Sequence, residues 1–139
     1  MYPDDLCYSS CPKRFFTNDQ VRLCQPCPYD CYTCDQNGAC LSCNISDNRI
    51  LSVTQRCEPI DGYFDVGVQV ALACPSGCLA CSSLSLCSSC ITNLFLIINE
   101  LCYTACPPRY IENIQTFTCE TCPFDCYTCD SSGLCLSCN

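Results

Sequence analysis

"CPYDCYTCDQNGACLSC", residues 27–43, returns near the end of the chain as "CPFDCYTCDSSGLCLSC", residues 122–138. Each copy carries a Cys-Pro followed by two Cys-x-x-Cys pairs five residues apart. Displaced by 95 positions, residues 7–44 align with 102–139 without a gap, and 22 of 38 positions are identical. Fourteen of those identities are not cysteine, among them Arg14/Arg109, Thr33/Thr128 and Ser42/Ser137. A shared need for thiols would not preserve such residues, so the segment is duplicated. A fainter copy, "CPSGCLACSSLSLCSSC" at 74–90, repeats the spacing at offsets of 47 and 48. Three cysteine-rich modules result: 1–44 and 92–139 with eight cysteines each, flanking 45–91 with six.

Twenty-two cysteines in 139 residues indicate a disulfide scaffold made in an oxidising compartment. The even count allows complete pairing. Net charge is −8, with six Lys and Arg and no His, which argues against nucleic acid and anionic membranes as partners. The longest apolar run, "LFLII" at 94–98, is too short to cross a bilayer, so any membrane anchor is expected outside this segment. "MYPDDL" has neither the basic region nor the apolar core of a secretory signal. The reading is a window of a longer tandem array.

Each module of about 47 residues is too small for a sufficient apolar core, so its stability must come from cross-links. "RILSVTQRC" (49–57) and "NLFLIINELC" (93–102) are short, β-branched and partly alternating, which predicts short strands. "DQNGAC" and "DSSGLC" read as hairpin turns, with glycine supplying a positive φ. The expected fold is small and disulfide-rich: tandem β-hairpin modules stacked into an elongated rod, with little or no helix.

The Cys-x-x-Cys pairs invite a zinc reading, but they flank only five residues, and cysteines 7, 11, 57, 102 and 106 lie outside them. A redox role needs a helix N-terminus to depress one thiol, and nothing predicts such a helix. Staples remain. The middle module lacks one cysteine from each of two elements, as deletion of one bridge would leave it. Cys7, Cys11, Cys24 and Cys27 are therefore expected to form two bridges among themselves, and the middle module to keep Cys57–Cys74. The separations alone fit either assignment.

The order Cys-x3-Cys-Pro, the aromatic pair Phe15-Phe16, then Cys-x2-Cys-x3-Cys-x2-Cys-x5-Cys-x2-Cys resembles the furin-like cysteine-rich repeat. That repeat occurs in the cysteine-rich regions of growth-factor receptors and in large surface proteins of ciliates. The resemblance implies first-to-third and second-to-fourth pairing. It places Cys7–Cys24, Cys11–Cys27, Cys31–Cys40 and Cys34–Cys43 in the first module. Carried to the others, it places Cys78–Cys87 and Cys81–Cys90, then Cys102–Cys119, Cys106–Cys122, Cys126–Cys135 and Cys129–Cys138. Every bridge is expected to stay within its module.

"NIS" at 44–46 is an N-glycosylation acceptor, and Asn139 repeats the position of Asn44. Asp30, Asp35, Asn37, Asp125 and Asp130 read as turn residues, not calcium ligands, because no EF-hand-like loop surrounds them. Tyr29, Tyr32, Phe124 and Tyr127 are expected to pack on disulfides. No nucleophile, base or paired acid suggests catalysis, and no cofactor or metal is implied. The expected function is a structural segment of a long extracellular rod, coat or filament, with copies of itself or neighbouring repeats as partners. Ile50, Leu51, Phe95, Leu96 and Ile97 are its candidate lateral contacts. The alternative is a receptor or surface-antigen ectodomain that binds a protein ligand.

Overall fold

The computed structural model describes residues 10–97 and 101–138. Its elements are short strands and one 3-10 turn. In order they are β1 (Phe15–Asn18), β2 (Leu23–Pro26), β3 (Thr33–Cys34), β4 (Cys40–Ser42), the 3-10 turn Ile45–Asp47, β5 (Arg49–Leu51) and β6 (Cys57–Pro59). Then follow β7 (Tyr63–Phe64), β8 (Leu72–Ala73), β9 (Cys78–Ser83), β10 (Leu86–Cys90), β11 (Phe95–Leu96) and β12 (Cys102–Tyr103). The last are β13 (Tyr110–Asn113), β14 (Thr118–Thr121), β15 (Cys126–Cys129) and β16 (Cys135–Cys138). The chain divides into two compact units, one of residues 1–60 and 65–72, the other of 61–64 and 73–139.

The first unit holds three antiparallel hairpins: β1 with β2, β3 with β4 and β5 with β6. The second pairs β9 with β10 and β15 with β16, and builds a four-stranded sheet in the order β12-β11-β14-β13. Turn chemistry explains why the two long copies agree. Asp35 Oδ1 accepts the N–H groups of Asn37 and Ala39, both at 2.9 Å, and Gly38 takes φ +83°. Asp130 does the same for Ser132 and Leu134, with Gly133 at +81°. Asn18 and Asn113 each accept from the backbone two residues on, starting equivalent turns. The middle copy has serines in place of this Asp and Gly, and its strands β9 and β10 run longer.

Sulfur makes much of the core. Cys31, Cys34, Cys40 and Cys57 form one buried cluster, with Phe16, Cys27 and Cys43 packed on it. In the second unit Phe95, Ile97 and Cys119 are buried against Tyr103, Cys106 and Tyr110. Phe95 and Ile97 are thus core residues and not lateral contacts, whereas Ile50 and Leu51 are exposed.

Among the described residues ten disulfides form, and four kinds of bridge recur. Cys11–Cys24 and Cys106–Cys119 pin the β1–β2 and β13–β14 arms. Cys27–Cys34, Cys74–Cys81 and Cys122–Cys129 close seven-residue separations. Cys31–Cys40, Cys78–Cys87 and Cys126–Cys135 are the three expected pairs that form. Finally, Cys43–Cys57 and Cys90–Cys102 cross from one cysteine module into the next.

These partners replace Cys7–Cys24, Cys11–Cys27, Cys34–Cys43, Cys57–Cys74, Cys81–Cys90, Cys102–Cys119, Cys106–Cys122 and Cys129–Cys138. Bridges between modules also overturn the expectation that each module closes on itself. Cys7 itself lies outside the described residues. The reason is register. β3 and β4 set Thr33 opposite Ser42 and Cys34 opposite Cys40, so Cys43 falls beyond the end of β4. A turn with Gln55 at φ +57° folds β6 back on β5, pairing Leu51 with Cys57. The Cys40 N–H then reaches Gln55 O at 2.8 Å, which brings Cys57 beside Cys43. The coupled loss of one bridge is real, since the middle module lacks the counterpart of Cys106–Cys119. Its Cys57 and Cys74, however, bond backward to Cys43 and forward to Cys81.

Candidate functional site

The bridges between modules are the feature that links repeat to repeat, and each sits in a different setting. At Cys43–Cys57 the setting is ionic. Asp30, 2% exposed, accepts Arg56 Nε at 2.8 Å and Nη2 at 3.1 Å, and the Cys57 N–H at 3.2 Å. This fork holds Arg56 firmly protonated, its hydrogen bond to Asp30 raising the guanidinium pKa. Asp30 does sit in a turn, the Cys31 N–H bonding to Pro28 O at 3.0 Å, but its side chain also reaches into the next module. Its charge is buried because Arg56, from the following module, neutralises it.

Arg49 is the second anchor, its side chain fully buried. All five of its N–H donors are accounted for by the Gln69, Cys57 and Val68 carbonyls at 2.9 Å and by both oxygens of Asp65. The hydrogen bonds from Arg49 do most to draw the Asp65 carboxyl down from 3.8 to about 2. Tyr29 donates its hydroxyl to Asp65 at 2.9 Å, and that bond raises the phenol's pKa. Its ring lies 5.4 Å from the Arg49 guanidinium carbon. Asp47 is buried between Arg14, which forms an ion pair with it, and Gln69, which donates at 3.1 Å. Together these contacts hold the loop 65–71, which no disulfide reaches.

At Cys90–Cys102 the setting is apolar. Aligning the αL residues Asn48 and Asn93 puts Leu94 at the position of Arg49. Gly77 occupies the position of Asp30. Its φ is +85°, and a Cβ there would come within 2.6 Å of Leu94 Cδ1. Gly77 thus leaves room for the Leu94 side chain over the hairpin, and a larger residue there would oblige Leu94 to shift. Leu94, Leu79, Ile91, Leu96 and Phe117 line a groove of about 630 Å³ in this unit.

The aromatic residues depart from expectation. Tyr29 joins the Arg49 network, and Tyr32 lies under Lys13 and Arg14, with the cations 5.5 and 5.6 Å from its centroid. Phe124, the counterpart of Tyr29, is 96% exposed, and Tyr127 is exposed too. Asp125 is exposed with φ +65°. Sequence reading missed Arg49, Arg56 and Asp65 altogether. The one available signal was Arg49 replacing an apolar residue inside a strand-like run. The clusters Asp30–Cys31–Cys40 and Cys78–Cys87–Cys102 have metal-like spacing, but their sulfurs are in disulfides and offer no thiolate. Cys138 is the one unbonded cysteine among the described residues, exposed at the position equivalent to Cys43 and Cys90.

No family model matches the chain. Over 111 residues, or 75% of the chain, it is 34% identical to furin-like protease 2 of Drosophila melanogaster. To proprotein convertase subtilisin/kexin type 5 of Rattus norvegicus it is 31% identical over 104 residues, 70% of the chain. To cysteine repeat modular protein 2 of Tetrahymena thermophila it is 30% identical over 105 residues, 65% of the chain. The chain spans only 6%, 6% and 5% of those proteins' lengths. With its recurring bridges and hairpins, the chain belongs to the furin-like cysteine-rich repeats.

Proposed function

We propose that the chain is a non-catalytic structural segment of a long extracellular tandem-repeat protein, a rod that contributes to a surface coat or filament. The observation that carries this reading is the pair of forward bridges, Cys43–Cys57 and Cys90–Cys102. A protein laced in this way has each module cross-linked to the next, in addition to the ionic contacts at the first junction and the apolar ones at the second. Cys138, at the position where the other two bridges start, is the joining point to a neighbouring repeat or a further copy. The ten disulfides among the described residues suit the oxidising conditions outside the cell.

Small-angle scattering of the oxidised chain tests the rod. A compact body of this length has a radius of gyration of about 14 Å. The proposal expects a value of about 20 Å or more, and a value near the compact one would overturn it. A second reading, an ectodomain that binds a protein ligand, is favoured by the apolar groove around Leu94 and Phe117. It would gain from a compact scattering profile.

A further inference from the structure

The geometry points to the Asn44 side-chain nitrogen as the acceptor of an N-linked oligosaccharide, an inference that rests on the extracellular reading. Asn44 caps the 3-10 turn Ile45–Asp47 with its oxygen only, Oδ1 accepting the Ser46 N–H at 3.3 Å. Its Nδ2 makes no hydrogen bond to the described residues. That separates it from the asparagines with structural duties. Asn18 donates Nδ2 to Gln25, Asn37 to Asp35, Asn48 to the Ala71 carbonyl and Asn113 to Glu120. A glycan takes one of the two hydrogens of an amide nitrogen and crowds the other. At those four positions it therefore competes with an existing hydrogen bond, and at Asn44 it competes with none among the described residues.

The turn also serves the chemistry. It ties the amide oxygen to Ser46, the residue whose hydroxyl defines the acceptor motif. Ile45 is 70% exposed and Ser46 is exposed, so one side of the turn is open to a bulky substituent. The other side is closed by Asp47 and its Arg14 and Gln69 partners, which keep the turn in place. The donor is an oligosaccharide carried on a polyisoprenyl pyrophosphate. Nδ2 attacks the anomeric carbon and a C–N bond forms. The bond from that carbon to the pyrophosphate oxygen breaks, the lipid pyrophosphate leaves as an anion, and one amide proton passes to a base of the transferase.

The test is secretion of the full chain from a eukaryotic cell, with intact mass measured before and after amide-cleaving deglycosylation. Expected are one oligosaccharide per chain, Asp at position 44 after release, and no oligosaccharide in Ser46→Ala, while Ser46→Thr keeps it. Non-reducing peptide mapping of the same material reports the bridges. If the bridges are formed and Asn44 is bare, or if Ser46→Ala is still modified, the glycan proposal falls alone. If the thiols are found reduced, the extracellular reading falls and takes the glycan with it.

Discussion

The β13–β14 arm and the loop 65–71 occupy corresponding places in successive repeats, yet they are held by different chemistry. The arm is closed by Cys106–Cys119, as the β1–β2 arm is by Cys11–Cys24. The loop has no cysteine and is gathered around the buried Arg49, with Asp65, Val68 and Gln69 as its partners. A disulfide acts largely by restricting the unfolded chain and is indifferent to pH. A guanidinium cluster acts only in the folded state, and only while every donor and every charge is answered. A repeat can therefore give up a bridge if one strand residue changes from apolar, as at Leu94, to an arginine that the loop can surround.

The largest effect should come from Arg49→Ala. It strips three carbonyls and Asp65 of their donor inside the unit, for a loss of about 3–4 kcal/mol. Denaturant unfolding gives the magnitude, and hydrogen exchange should place the loosening at 65–71. An unchanged midpoint would mean that the loop is held by its backbone alone.

Next is the paired substitution Cys106→Ser with Cys119→Ser. A bridge of sequence separation 13 limits the loss to about 3 kcal/mol by chain entropy. Here the extra exchange should be confined to β13 and β14. Loosening of residues 10–60 in this variant would break the parallel between the two regions.

Acid should separate the two chemistries. Asp65 has a folded pKa of about 2 against 3.8 for the free carboxyl. A depressed carboxyl adds stability above its unfolded pKa and loses it as pH falls through the folded value. The loop should weaken as pH drops from 3.8 toward 2, whereas the Cys106–Cys119 arm keeps its protection. Exchange rates followed down this range compare both regions in one sample.

The smallest effect belongs to the Tyr29 and Phe124 pair. Tyr29→Phe converts one repeat toward the other and removes a half-exposed bond to Asp65, for less than about 1 kcal/mol. Phe124→Tyr should change nothing, because Phe124 is 96% exposed and has no Asp65 equivalent to meet.

The sequence by itself determined the duplication, a disulfide-bonded scaffold and the hairpin character of each module, whereas Cys138, expected in a bridge to Cys129, is unbonded. The sequence also determined the turns at Asp35-Gly38 and Asp130-Gly133. All of these rest on local facts: spacing, turn chemistry and modules too small to bury a sufficient core. The absence of one bridge from the middle module was legible too, because it removed cysteines two at a time. Only the tertiary structure decided which sulfur meets which, since evenly spaced cysteines satisfy several pairings until strand register brings particular Cα atoms within about 5–6 Å. Long-range contacts likewise decided that the buried carboxylate of Asp30, a turn residue as expected, also pairs with Arg56. They also made Phe95 and Ile97 core residues. Arg49 lies buried because its five donors are met by groups up to 20 residues away, which no local pattern records.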